Sequence, residues 1–242
     1  MVAVSLVSQK MTVVALLLLT FATGLVDAIS LLALGHVFVA NMTGNIIFLG
    51  FWFVPHSGID MTAAVVAFVS FILGTIIGGR FARHLESRVR LWLTTALGTE
   101  VLLLTVLSAL AGIGVVNYHD DGKLILIAGL AVSFGAQSVT ARRFAIQELS
   151  TTVLTGTIVS IGMDSRLAGG RGDRRKLRYG VIATMLAGAM LGATMTQFTV
   201  AGVIALAALV IAASLAVFRF ATVQADPVAG RLGIRLCARH PD

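Results

Sequence analysis

The sequence predicts an all-α polytopic membrane protein with six transmembrane helices, two short re-entrant or half-helix segments and an inverted 3+3 repeat. The composition is 57% hydrophobic and 12% charged, with a mean hydropathy of +0.96, too apolar for the surface of a soluble domain. Long apolar segments alternate with short basic loops, as in proteins that cross a membrane several times. A Thr-Gly unit also occurs once in each half, at Thr43-Gly44 and Thr155-Gly156.

The charge and cysteine content exclude several other classes of protein. The net charge of +7 does not indicate nucleic-acid binding, because the basic residues lie in loops beside apolar segments. Cys237 is the single cysteine, so neither an internal disulfide nor a cysteine metal cluster can form. We therefore expect the lipid bilayer as partner, with no nucleic acid, metal or cofactor.

Six segments are long enough to cross a bilayer, which takes about 20 apolar residues in a helix. They are Met11–Leu34, Met61–Arg80, Leu91–Val116, Lys123–Arg142, Tyr179–Gln197 and Thr199–Phe218. Two shorter apolar runs, Met42–Val54 and Thr151–Met163, separate them in each half. As helices these runs would reach about 20 Å, against a hydrocarbon core of about 30 Å. They are therefore predicted to be re-entrant.

The arginines predict the orientation of these segments, because cytoplasmic loops are enriched in Lys and Arg. Three basic groups are expected inside: Arg80, Arg83, Arg88 and Arg90; Arg142 and Arg143; and the Arg166–Arg178 cluster. If Thr151–Met163 crossed the membrane, one of the last two groups would lie outside. Both termini are then cytoplasmic, with an N-terminal segment at 1–10 and a basic tail at 219–242.

The membrane domain at 11–218 divides into two repeats, at about 11–116 and 123–218. Each repeat holds three spans and one re-entrant segment, and an odd number of spans inverts the second copy. A glycine-spaced helix follows each Thr-Gly unit, with Gly74 and Gly78 in one half and Gly188 and Gly192 in the other. Small residues at this spacing are typical of helix-packing faces.

The Thr-Gly segments are the main candidate site. Non-helical backbone at membrane depth is tolerated only where protein buries it or where it lines a wet cavity. Glycine permits a turn, and polar side chains can satisfy the freed backbone groups. The candidate residues are Asn41, Thr43, Gly44, Asn45, Thr155, Gly156 and Thr157. The alternative is that these residues only cap helices in ordinary loops.

Asp27 lies deep in the first span, where a charge costs about 2.5–3.5 kcal/mol on insertion scales. It is a candidate proton carrier, with Ser30 one turn along the same face; the alternative is a structural hydrogen bond to a neighbouring helix end. Gln137 and Arg142 are the candidates from the second half. Glu100 is less favoured, because it sits nearer the basic cytoplasmic edge and could simply pair with Arg142 or Arg143.

The chain resembles the YoaK-like family, whose members are uncharacterised multipass proteins of the bacterial inner membrane. The first motif is Gly24-Leu-Val-Asp27-Ala-Ile-Ser30 followed by Asn41-Met-Thr43-Gly44-Asn45, and the second comprises Gly135-Ala-Gln137, Arg142 and Thr155-Gly156-Thr157. The resemblance extends from about Met11 to Phe218. It implies a multipass protein of the bacterial inner membrane, in a family often described as candidate permeases, and supplies neither substrate nor catalytic residue.

These features predict a small-solute transporter or channel with a midplane site where the two Thr-Gly units meet, and with proton coupling as one mechanism. Inverted repeats with broken helices are the arrangement that supports alternating access. The alternative is a membrane scaffold or regulatory subunit whose glycine faces bind partner helices. An enzyme is not expected, because the sequence has no nucleophile elbow, Walker loop, paired-histidine helix or dinucleotide fingerprint. The protein could form a homo-oligomer in either case.

Overall fold

The computed structural model describes residues 9–54, 58–86, 88–118, 120–143, 154–170 and 174–220. Within them the regular structure is helical: α1 (Gln9–Ala33), α2 (Met42–Gly50), α3 (Met61–His84), α4 (Val89–Gly112), α5 (Gly122–Arg143), α6 (Leu154–Met163), α7 (Arg175–Thr196) and α8 (Val200–Phe220), with a 3-10 turn at Arg166–Ala168. Most of the predicted N-terminal segment, residues 151–153 of the second short run and nearly all of the basic tail lie outside the described residues.

Six of these helices are long and apolar enough to cross a membrane, as predicted. The helices α2 and α6 have 9 and 10 residues, so each spans only about half of the hydrocarbon core. The all-helical fold class and the number of candidate spans are therefore confirmed.

The boundaries of three spans differ from the hydropathy boundaries by about one turn. The helix α3 continues to His84, beyond the predicted Arg80. The helix α4 ends at Gly112, before the predicted Val116, because the chain turns at Gly114 with a φ of 75°. The helix α7 begins at Arg175, one turn before the predicted Tyr179. Hydropathy reports where apolar residues begin, whereas a helix can continue into the polar residues beside a span.

Glycines bring α3 and α5 into close backbone contact. Gly74 of α3 faces the backbone of Val132, and a Cβ added at Gly78 would lie 2.9 Å from the Cα of Ala136. Gly135 of α5 faces the α3 backbone in return. The later glycine of α3, Gly78, meets the later residue of α5, Ala136, so α3 and α5 run parallel.

The helices α1 and α7 pack in the same way. Gly188 and Gly192 of α7 face the backbones of Phe21 and Leu25. In return, a Cβ added at Gly24 of α1 would lie 2.5 Å from a carbonyl oxygen of α7. This pair is also parallel, and in both pairs any larger residue would force the backbones apart.

Other contacts give the remaining directions. Glu100 and Trp92 of α4 contact Gln137 and Arg143 of α5, respectively, so these two helices are antiparallel. The end of α4 meets the start of α8 through Ser108, and the end of α8 meets the start of α1 through Ser214. Consequently α1, α4 and α7 run one way across the fold, and α3, α5 and α8 run the other way.

Each short helix therefore connects two antiparallel spans, α1 to α3 for α2 and α5 to α7 for α6. A segment in that position begins and ends on the same side of the fold, so α2 and α6 do not cross it, as a re-entrant segment requires. We describe the six spans as two bundles, one of α1, α7 and α8 and the other of α3, α4 and α5. The contact of α4 with α8 that joins the bundles is more extensive than the contacts of α4 with α5 and α3. The helix α2 packs on α3, and α6 packs on α7.

Candidate functional site

Asp27 holds the non-helical segment that connects α1 to α2. Its Oδ1 accepts hydrogen bonds from the backbone N–H groups of Val39 at 3.0 Å and Ala40 at 2.9 Å. Its Oδ2 accepts a hydrogen bond from the side-chain amide of Asn41. Asp27 is buried, as predicted for an acid inside the first span. All three of its partners are donors, which matches the ionised form of a carboxyl group.

The segment that Asp27 holds is itself buried. Leu34, Val37, Val39 and Ala40 are almost completely enclosed, and the chain reverses at Gly35 with a φ of 113°. Backbone N–H groups buried away from water need acceptors, and the carboxylate of Asp27 is the acceptor for two of these groups. This arrangement corresponds to the structural alternative for Asp27, a hydrogen bond to a neighbouring helix end, because the segment leads directly into α2.

Asn45 closes the same segment from the side of α2. Its Oδ1 accepts the N–H of Phe38 at 2.8 Å, and its Nδ2 donates to the carbonyl of Phe38 at 2.5 Å. The ring of Phe38 lies against Gly44, where a Cβ would be 2.5 Å from a ring carbon. Gly44 therefore provides space for Phe38, and Asn45 fixes the backbone of that residue.

The two Thr-Gly units share one pattern of exposure. Thr43 and Thr155 are exposed, whereas Asn45 and Thr157, two residues later, are buried. The buried polar side chains of the short helices are thus Asn45 and Thr157, and both threonines of the Thr-Gly pairs lie at the surface of the chain. The meeting of the two units near a pseudo-twofold axis stays a prediction.

In the second half, a buried arginine joins α6 to α7. Arg178 donates from Nη1 to the carbonyl of Ser160 at 2.9 Å and forms an ion pair with Asp164 at 2.5 Å. These contacts tie the C-terminal end of the re-entrant helix to the first turns of α7. The sequence interpretation assigned Arg178 only to the basic cytoplasmic cluster and did not anticipate its burial.

The chain matches, over residues 15–217, the family described as "Protein of unknown function (DUF1275)". It belongs to the DUF1275 family. It is also 37% identical over 158 residues to the UPF0700 transmembrane protein YoaK of Bacillus subtilis (strain 168), an alignment that covers 64% of this chain and 66% of that protein. No solved structure matches the chain.

These comparisons confirm the resemblance predicted from the motifs. Together with the six apolar helices, they make this DUF1275 chain an integral, multipass membrane protein. The family description itself supplies no substrate, so the site must be argued from its residues.

A second buried acid of this DUF1275 protein lies between α4 and α5. Glu100 is 5% exposed, and its Oε1 accepts a hydrogen bond from Nε2 of Gln137 at 2.8 Å. Ser133, one turn before Gln137 on α5, lies beside the same carboxyl group. The expected pairing of Glu100 with Arg142 or Arg143 is not present, since Arg142 is exposed and Arg143 stacks on Trp92.

The predicted site residues therefore fall into separate places. Asp27, Asn41 and Asn45 meet around the segment before α2, and Gln137 lies with Glu100. Ser30 is buried but donates to the carbonyl of Asp27 at 3.1 Å, within its own helix. Glu100 is the site residue that sequence reasoning undervalued. The signal was present, since Glu100 is the only acidic residue of the 24-residue helix α4.

Proposed function

We propose that this protein is a small-solute transporter or channel built on an inverted repeat, with its solute site between the two bundles at the membrane midplane. The single observation that carries the proposal is the correspondence between its two glycine-packed helix pairs. If the chain is a repeat of α1–α4 in α5–α8, α1 is equivalent to α5 and α3 is equivalent to α7. The α3/α5 pair is then equivalent to the α7/α1 pair.

The correspondence extends to individual residues. Gly74 and Gly78 of α3 correspond to Gly188 and Gly192 of α7 at one constant shift along the chain. Their backbone partners correspond at a second constant shift: Val132 to Phe21, Gly135 to Gly24, and Ala136 to Leu25. The pair α1/α8 corresponds to α5/α4, and the pair α2/α3 corresponds to α6/α7, although α1/α8 and α2/α3 are the more extensive contacts. A repeat accounts for all of these matches together.

The charges at equivalent helix starts support opposite orientations for the two repeats. The N-cap residue of α3 is Asp60, and the N-cap residue of α7 is Arg174, which lie at the shift that relates the two glycine pairs. An inverted repeat puts these equivalent ends on opposite sides of the membrane. Basic residues favour the cytoplasmic side, so Arg174 is assigned inside and Asp60 outside, with both termini in the cytoplasm of a bacterial inner membrane.

Inverted repeats with interrupted helices at mid-depth are used for alternating access, with one bundle rocking against the other around a central site. In this chain α2 and α6 are the interrupted elements. Asp27 lies in one bundle and binds the segment before α2, and α2 itself packs on α3 of the other bundle. The short helix α2 is therefore linked to both moving parts, as a gating element requires.

The alternative function, a scaffold whose glycine faces bind partner helices, loses its main support. Gly74, Gly78, Gly188 and Gly192 face backbones of the same chain. They are occupied within the protein and do not form a docking face for another helix.

Two measurements test the proposal. In a panel of sugars, amino acids, organic acids and inorganic ions, at least one solute should raise the melting temperature of the purified protein. The same solute should exchange across proteoliposomes that contain the protein and not across protein-free liposomes. A folded protein that neither responds to nor exchanges any member of the panel would contradict transport.

Cysteine labelling tests the inverted arrangement separately. Leu167 and Asp121 are both exposed. Asp121 directly precedes α5, whereas Leu167 lies beyond the other end of α5, after α6. In a Cys237→Ser background, Asp121→Cys should react with a membrane-impermeant reagent in intact cells, and Leu167→Cys only after the cytoplasmic side is opened. External reactivity at Leu167→Cys would overturn the assigned orientation.

A further inference from the structure

Glu100 is a second buried acid, and it takes no part in the hydrogen bonds by which Asp27 holds the segment before α2. It is the twelfth residue of the 24-residue helix α4, about 16 Å from the start of the helix. A hydrocarbon core of about 30 Å therefore places it close to mid-depth. Ionisable side chains at such positions are rare, and they mark ion pathways and proton relays.

The neighbours of Glu100 are neutral, and they can serve either protonation state. Gln137 donates to Oε1, which suits a carboxylate and a carboxylic acid equally. Ser133 is 4% exposed and lies beside the carboxyl group. Its hydroxyl makes no hydrogen bond to another group of the described chain, so it can turn to donate to a carboxylate or to accept from a carboxylic acid.

Charged groups on the neighbouring helices do not contact Glu100 within the described residues. The helix α4 packs on α5, α8 and α3, whose titratable residues lie at their ends: Lys123, Arg142 and Arg143; Arg219; and Arg80, Arg83 and His84. Lys123 pairs with Asp60, and Arg143 stacks on Trp92. The charge of Glu100 is therefore balanced by no fixed cation of the described chain, and a proton is the smallest ligand that can neutralise it.

We propose that Glu100, Gln137 and Ser133 form a reversible proton-binding site between α4 and α5. On loading, a proton from water bonds to a carboxylate oxygen, and the Ser133 hydroxyl rotates to accept a hydrogen bond from it. On release, the proton returns to water, and the Ser133 hydroxyl can turn to donate to the carboxylate. Gln137 keeps its hydrogen bond in both states. The role of this proton in coupling rests on the proposed transport function, whereas the binding itself does not.

Asp27 is distinguished from Glu100 by its partners. Both of its oxygens receive only donors, from Val39, Ala40 and Asn41. A proton on Asp27 would weaken the hydrogen bonds that hold the segment before α2, whereas the partners of Glu100 can adjust to a proton. The proton site is therefore assigned to Glu100, and Asp27 to the structure.

Infrared difference spectroscopy of the full-length protein in liposomes tests the assignment. The wild-type protein should show the carbonyl band of a buried carboxylic acid that appears and disappears as the pH is changed. The band should be lost in Glu100→Gln, and it should persist in Asp27→Asn and in the exposed control Glu86→Gln. A band that survives Glu100→Gln, or is absent from the wild type at every pH, would overturn the proposal.

A second variant keeps the test decisive if Glu100→Gln does not fold. Gln137→Met has a similar shape but removes the hydrogen bond to the carboxyl oxygen, so the band should move to higher frequency. An unmoved band would contradict the site. If the band behaves as expected but no solute is exchanged, transport fails and the proton site stands. If exchange occurs but a pH gradient drives it equally in wild type and Glu100→Gln, the coupling role fails.

Discussion

At the scale of single residues, the two membrane acids have different surroundings although the sequence presents them alike. Asp27 lies among three donors, whereas Glu100 lies beside an amide and a hydroxyl. The difference comes from the segment before α2, whose buried N–H groups need acceptors. Asp27 accepts hydrogen bonds from backbone N–H groups, whereas Glu100 accepts one from the side chain of Gln137.

Asp27→Ala should destabilise the protein more than Asp27→Asn does. The alanine leaves two buried N–H groups and one amide without partners, at about 1–3 kcal/mol for each, so we expect a loss of at least about 2 kcal/mol. The asparagine keeps an acceptor for both N–H groups, and the Asn41 amide can rotate to offer its oxygen. Unfolding of the purified protein in detergent measures both. Asp121→Ala, at an exposed position, is the control, and equal losses for the two Asp27 variants would contradict the assigned role.

The Asp60–Lys123 ion pair gives a pH-dependent contribution to stability. Partial burial opposes ionisation of Asp60, but the hydrogen bond and the charge of Lys123, at 2.6 Å, and the N–H of Ala63 together lower its pKa below the ordinary 3.8. Because the pKa is lower in the folded state, the stabilisation is fully present above pH 3.8 and is lost as the pH falls through the lowered value. The pair is partly exposed, so it contributes about 1 kcal/mol or less.

Melting temperatures of wild type and Asp60→Asn should therefore differ by a constant amount at near-neutral pH and converge in acid. Asparagine retains a capping oxygen for α3, so the difference isolates the charge. A gap that widens as the pH falls would show that the sign is wrong.

At the scale of helices, the close pairs α3/α5 and α1/α7 depend on the absence of a side chain at particular glycines. The spacing of these glycines predicted a packing face, but not which helix each face would meet. That choice depends on the matching surface of a distant helix, because Gly135 and Gly24 complete the two contacts from the opposite side.

Gly74→Ala and Gly188→Ala should each lower the melting temperature, because the added methyl group meets a carbonyl of the facing helix. Gly98→Ala is the matched control, since a Cβ there meets nothing within 4 Å and alanine favours a helix by about 1 kcal/mol. Thermal unfolding in detergent gives the comparison. The correspondence of the two pairs requires losses of similar size, and a harmless Gly188→Ala beside a damaging Gly74→Ala would contradict it.

At the scale of the whole molecule, the two bundles meet chiefly where α4 packs on α8. Within the bundles, the α3/α5 and α1/α7 contacts are made by glycine-lined backbones. The contacts between the bundles include a hydrogen bond from Ser108 to the carbonyl of Ala201. If solute movement requires the bundles to rock, the interface between α4 and α8 must change during each cycle.

A bifunctional thiol reagent should arrest solute exchange when it joins Ser108→Cys to Ala201→Cys in a Cys237→Ser background. The same reagent joining Asp60→Cys to Lys123→Cys, within one bundle, should leave exchange largely intact. Flux in proteoliposomes before and after cleavage of the cross-link measures the effect. Unimpaired flux with the two bundles joined would exclude rocking.

The membrane class, the six spans and the shortness of the two intervening segments could be predicted from the sequence. Each of these follows from local quantities: an apolar length compared with the thickness of the bilayer, and the distribution of arginines. Segment lengths and charges act along the chain, so no knowledge of distant contacts is needed to interpret them.

The partners of the polar residues follow from the tertiary structure. Asp27 accepts hydrogen bonds from the backbone of Val39 and Ala40, as its structural alternative requires, and Glu100 pairs with Gln137 at 2.8 Å and not with Arg142 or Arg143. A buried carboxyl group takes its role from the donors and acceptors that other elements bring to it. Those elements are distant in sequence, and the close packing at the glycines decides which helices become neighbours.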